Sequence, residues 1–175
     1  MIGNAVAGIY GTGAPPIPPS SYESIATTTL TTSSFSFTSI AQTYKHLQIR
    51  GYFIPNTAGY TPYVRFNGAN GTYAHQLFGN GATATATATA TFMNVALSGG
   101  IQDTYPFAFI IDVQDYSNST RNKTFRAFLG QEMNSSDGQV VLASGFKNDT
   151  TAITQLGITF GIAGNGLAAL YGIKG

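Results

Sequence analysis

Residues 43–53, TYKHLQIRGYF, alternate with a period of two: Leu47, Ile49, Gly51 and Phe53 fall on one face, and His46, Gln48, Arg50 and Tyr52 on the other. A chain with that pattern is a β-strand buried on one side and polar and aromatic on the other. The same residues do not form the broad apolar stripe that a helix requires. Everything else in the chain has to be organised as sheet around this strand.

The pattern recurs on both sides of it. Tyr22 to Thr31 is threonine-rich and β-branched, and Ser33-Ser34 leads into the short Phe35-Ser36-Phe37. Tyr60 to Asn67 sets Val64 and Phe66 against Tyr63 and Arg65, with Pro62 making its first half an edge or a bulge. Asn67-Gly68 and Asn70-Gly71 are turn signals, and Asn134 to Gly138 reads as another. Ala74 to Phe78 is a further short strand. It is followed by an unbroken Ala/Thr alternation from Ala82 to Thr91, expected as an edge strand or a flexible loop. In the second half Phe107, Phe109, Ile111 and Val113 form one row and Phe125, Ala127 and Leu129 another. Gln139 to Phe146, a row of Leu156, Ile158, Phe160 and Ile162, and finally Leu167 to Ile173 complete the series. No stretch offers a capped helix of ten residues, so the expected fold is all-β, a jelly-roll-like antiparallel sandwich over residues 21–175.

Residues 1–20 read differently. MIGNAVAGIYGTG is rich in Gly and Ala, and four prolines stand in the five residues from Pro15 to Pro19. That composition gives an extended, stiff spacer. Ile2, Val6, Ile9 and Tyr10 are more apolar than a solvated tail needs, so the segment is expected to be a docking arm for other proteins of an assembly. It lacks the basic residues of a signal peptide and is too broken for a lipid anchor; no stretch reaches the ~18 apolar residues of a membrane span.

Only 9% of the 175 residues are charged, against roughly 25% in an average domain, and the net charge is +1. The surface is therefore one of hydroxyls, amides and tyrosines, suited to close packing and without an electrostatic case for nucleic acid. The absence of cysteine excludes disulfides and thiolate metal sites. His46 and His75 stand in no short ligand motif, and none of the seven acids (Glu23, Asp103, Asp112, Asp115, Glu132, Asp137, Asp149) is paired by spacing into a catalytic couple. No catalytic residue, cofactor or metal ligand is nominated, and the expected role is non-enzymatic. The candidate surface contacts are Tyr44, His46, Arg50, Tyr52, Tyr60, Tyr63, Tyr73 and Tyr105, because tyrosine combines a broad apolar face with a hydroxyl and suits protein interfaces and sugar stacking.

TYKHLQIRG in the central strand, YVRFNG at Tyr63 to Gly68, LYGIK at Leu170 to Lys174, the opening MIGNAVAGIYGTG and SSYESIAT together resemble small virion structural proteins of tailed bacteriophages, especially cyanobacterial and marine phages. The resemblance implies a subunit on the particle surface, made in the bacterial host's cytoplasm and assembled as a symmetric oligomer, a homotrimer by expectation. A tail-fibre or knob-like component docked through residues 1–20 and contacting a host surface glycan is the first expectation. A capsid head-decoration protein and a carbohydrate-binding module are the alternatives.

Overall fold

The alternating rows become the inner faces of two antiparallel sheets. The computed structural model describes residues 21–68, 73–79, 85–95, 101–102, 104–133 and 137–175, except for the side chains at 73–79, 85–88, 133 and 137. None of these residues is helical. The expected docking residues Ile2, Val6, Ile9 and Tyr10 lie outside them.

Twelve strands are formed: β1 (Tyr22–Leu30), β2 (Ser34–Phe37), β3 (His46–Pro55), β4 (Tyr63–Phe66), β5 (Tyr73–Gly79), β6 (Thr85–Ala90), β7 (Met93–Asn94), β8 (Phe107–Gln114), β9 (Lys123–Met133), β10 (Asp137–Lys147), β11 (Leu156–Thr159) and β12 (Gly164–Ile173). An eight-stranded sheet runs β1-β12-β3-β8-β9-β10-β5-β6, and a four-stranded sheet runs β2-β11-β4-β7. The chain is an all-β sandwich. The Ala/Thr tract supplies β6, at the edge of the large sheet, and its last residue, Ala90, packs partly buried against the core.

The core lies between the sheets. The large sheet contributes Leu47, Ile49, Phe53, Phe107, Phe109, Ile111, Val113, Phe125 and Leu129, and the small sheet Phe37, Val64, Phe66, Leu156 and Ile158. Gly51 also faces inward, opposite Phe109 on β8. A Cβ there would sit 2.7 Å from the Phe109 ring and 2.3 Å from the Leu167 carbonyl oxygen, so the close approach of β12, β3 and β8 requires glycine. Loops close the ends of the sandwich by inserting Ile40, Val95, Ile101, Tyr116 and Ile153 into the same core.

Two expectations are corrected. Asp137 and Gly138 belong to β10, paired with Met133 and Glu132, so ladder pairing extends past the Asp-Gly dipeptide that locally signals a turn. The row Leu156, Ile158, Phe160, Ile162 is strand only from Leu156 to Thr159; beyond it Gly161 takes φ 80° and bends the chain out of the small sheet. The Asn67-Gly68 turn forms as expected, both residues having positive φ (56° and 65°), but β4 before it and β5 after it lie in different sheets, so it closes no hairpin. The Asn67 side chain also receives the Thr154 and Gln155 amides (2.9 and 3.2 Å) and donates to the Ala152 carbonyl (2.9 Å), fixing the loop before β11 onto the end of β4.

Candidate interaction surface

The outer face of the large sheet follows from the same registers. Side chains opposite the core on β3, β8, β9 and β10 are His46, Gln48, Arg50 and Tyr52; Ala108, Ile110, Asp112 and Gln114; Thr124, Arg126 and Phe128; and Leu142, Ser144 and Phe146. Cross-strand pairing sets Ile110, Phe128 and Leu142 in one continuous row. These are large apolar side chains, yet Phe128 is 56% exposed, Leu142 52% and Ile110 39%. Phe146, Tyr52 and Leu167 extend the exposed patch on either side. A whole aromatic side chain presents ~150–250 Å², so the exposed parts of these six sum to an apolar area on the order of 500 Å², the upper range for the largest patch on a monomer.

A polar row crosses this patch. Asp112 stands opposite Arg126, and Asp112 accepts a 2.6 Å hydrogen bond from the Gln48 amide. Gln48 in turn accepts from Arg50 Nε. The Arg50 guanidinium lies over the rings of Tyr22 and Tyr171, 5.4 and 5.5 Å from their centroids, a cation–π bracket that holds it flat on the sheet. Arg126 is exposed and has no polar partner among the described residues. Depressions of about 230 and 400 Å³ flank it, one beside Ile110, Phe128 and Leu142, the other beside Thr124, Ser144 and Phe146.

The structure does not gather the sequence-nominated contacts into one site. His46, Arg50 and Tyr52 do lie on this outer face. Tyr63 lies on the outer face of the small sheet, and Tyr60 bridges to Ile101 outside both sheets. Tyr44 is part-buried and donates to Glu23 (3.0 Å), and His46 Nδ1 accepts the Asp115 amide (3.1 Å), so both help to join neighbouring segments. Tyr105 holds the β9 glutamine Gln131 through its backbone carbonyl (3.0 Å). The Tyr73 side chain is outside the described residues. The residues missed are Ile110, Phe128 and Leu142. Their signal was apolar residues on both parities of one strand, as in FAFIIDV, which marks a sheet apolar on both faces.

Four of the described acids, Glu23, Asp112, Asp115 and Asp149, are engaged by neighbouring cations or amides. Glu23 meets Lys174 (2.8 Å), Asp115 meets Lys45 (3.6 Å), and Asp149 meets Lys147 (2.9 Å). Among the described residues no three His, Cys, Asp or Glu side chains converge as a metal site, and no helix is long and apolar enough to cross a membrane. The chain matches no protein-family model, no curated protein and no solved structure.

Proposed function

We propose that this chain is a non-enzymatic structural subunit of a bacteriophage particle, a fibre- or knob-type component, which assembles by turning the outer face of its large sheet towards copies of itself. The observation that carries the proposal is the Ile110–Phe128–Leu142 row, three large apolar side chains left in water at the middle of a sheet face. A stable interface removes about 800 Å² from each partner. The apolar patch, on the order of 500 Å², with its rim of Gln114, Thr124, Arg126 and Ser144, supplies the centre of such an interface.

The occupant best suited to the face is a second copy of the same chain. Arg126, without a polar partner among the described residues, stands beside Asp112, so in a head-to-tail contact Arg126 of one copy meets Asp112 of the next. Three such faces around a threefold axis give the closed homotrimer that the phage resemblance implies. The same interface serves a fibre or knob component and a head-decoration protein; the resemblance of the sequence motifs is what favours the first.

The test is a native mass measurement by light scattering at ~20 µM. The expected mass is three times the 18.4 kDa of one chain, falling to the monomer mass in the Phe128→Ser, Leu142→Ser double variant with an unchanged melting curve. A monomeric wild type, or an oligomer indifferent to both substitutions, overturns the interface. Immunogold labelling of purified particles tests the role, and particles free of the chain overturn it.

A further inference from the structure

The small sheet has a concavity of a different chemistry. Register across β2, β11 and β4 places Ser36, Gly157 and Arg65 side by side, and Ser34, Thr159 and Tyr63 in the next row of the same face. Gly157 brings no side chain, and cannot: a Cβ would lie 2.3 Å from the Phe35 carbonyl oxygen and 2.8 Å from Ser36 Cβ. The bare backbone at Gly157 becomes the floor of a trough of about 370 Å³, with Ser36 and Arg65 as its walls. Gln155 closes one end, its amide donating to Ser36 Oγ (3.0 Å).

Arg65 is held rigidly in this wall. Its guanidinium stacks over Tyr63 and Phe92, 5.1 and 6.0 Å from the ring centroids, and Nη2 donates to the Tyr63 hydroxyl (2.9 Å). Its Nε is buried and has no hydrogen-bond partner. A buried donor left unsatisfied is unfavourable, and no described side chain relieves it. A planar guanidinium fixed by aromatic stacking at the wall of a trough is suited to receive a carboxylate on the N–H donors of its terminal nitrogens.

The geometry points to this trough as a binding site for a carboxylate-bearing sugar, a uronic acid unit of a polysaccharide. Arg65 takes the carboxylate. Ser34, Ser36 and Thr159 provide hydroxyls that both donate and accept, as a ring of sugar hydroxyls requires. The volume is at the low end of the ~300–1,000 Å³ of small-molecule sites, room for one or two rings. An acidic peptide has the carboxylate but leaves the row of hydroxyls without matching partners. The site is on the opposite side of the sandwich from the proposed subunit interface and does not depend on it.

The test is titration of the intact chain, followed by the NMR signals of the Arg65 Nε–H and the Gly157 and Thr159 amides, with glucuronate, glucose and glutarate as probes. Glucuronate is expected to shift all three signals with a Kd on the order of 1 mM, and glucose and glutarate to bind about tenfold more weakly. Arg65→Gln should erase the preference for glucuronate over glucose. Thr159→Val, which keeps a β-branched residue in the strand, should weaken both sugars and leave glutarate unchanged. Glutarate binding as tightly as glucuronate, or no shift with ~50 mM glucuronate, overturns the proposal. Should Arg65→Gln fail to fold, unchanged sugar affinity in Thr159→Val overturns it alone. The Phe128→Ser, Leu142→Ser variant keeps the site, so loss of oligomerisation and loss of sugar binding are read separately.

Discussion

The rings of Phe53 and Phe160 stack with centroids 3.8 Å apart and planes 6° from parallel. Phe53 is on β3 in the large sheet, and Phe160 directly follows β11 in the small one. The stack is therefore a bridge between sheets that share no ladder hydrogen bonds. Phe109 and Phe35 approach Phe160 at 6.0 and 6.1 Å, so one ring organises aromatic contacts from both layers.

Phe160→Ala should consequently be among the most damaging core substitutions. Removing a fully buried phenylalanine leaves a cavity that the rings of Phe35, Phe53 and Phe109 around it cannot collapse to fill, at about 3–5 kcal/mol. Chemical denaturation is expected to show the midpoint falling by that amount at unchanged slope, whereas Ile162→Ala, at the partly buried margin of the same segment, should lose far less.

Tyr116 is fully buried, and its hydroxyl donates to the Ala41 carbonyl while accepting the Tyr44 amide (3.3 Å). It ties the loop after β8 to the entry of β3. Tyr116→Phe keeps the ring and strands both partners, an expected loss of about 1–3 kcal/mol by denaturation. Burial raises the phenol's pKa above its ordinary 10.0, an effect the Tyr44 N–H opposes. A raised acid pKa means that stability is intact below pH 10 and declines as pH climbs further. Tyr116→Phe should be flatter than wild type in that alkaline range.

At the acid end the sensitive group is Asp149. The Thr151 backbone amide (2.8 Å), the Lys147 ammonium (2.9 Å) and the Thr151 hydroxyl hold its pKa down to about 2. A carboxylate whose pKa is lowered by folding contributes stability above its unfolded value near 3.8, and that contribution is lost as pH falls towards 2. Asp149 is part-exposed, so screening reduces the effect to about 1–2 kcal/mol. Melting temperatures of wild type and Asp149→Asn are expected to converge below pH 3 and to differ at pH 7.

How much of this could be read in the sequence depends on which face of a strand is considered. The inner rows were legible because burial on one side imposes strict alternation, as in Leu47/Ile49/Phe53 and Phe107/Phe109/Ile111. Ile110, Phe128 and Leu142 were legible only as apolar residues at the outward parity, a signal that blurs the alternation and does not tell whether that face is covered. Gly161 ends β11 early through its backbone conformation, which an Ile158/Phe160/Ile162 row does not reveal. The trough was hidden for another reason. Ser36, Arg65 and Gly157 are remote in the chain and become neighbours only when β11 enters between β2 and β4.

The last prediction concerns the boundary at Ser21. Among the described residues, pairing of the large sheet starts there: the Lys174 amide donates to the Ser21 carbonyl (3.0 Å), Tyr22 pairs with Ile173, and Lys174 Nζ reaches Glu23 (2.8 Å). Among the described residues the first side chains to pack against the core are the partly buried Ile25 and Ala26, and the first fully buried one is Leu30, at the end of β1. Removing residues 1–20 should therefore leave the described sandwich with its ladders and core complete, and the melting temperature within a degree or two of the full chain. The removed stretch carries Ile2, Val6, Ile9 and Tyr10 ahead of the proline spacer; fully extended, its twenty residues span at most ~70 Å, enough to reach a neighbouring protein. Each of those side chains contributes ~1.5–3 kcal/mol when fully buried in a partner. The truncated chain is thus expected to form the same oligomer, since the Phe128 face is untouched, yet to be missing from purified particles by quantitative mass spectrometry. Normal copy number in the particle would show that residues 1–20 do no docking, and a collapse of the melting temperature would place them in the folded core.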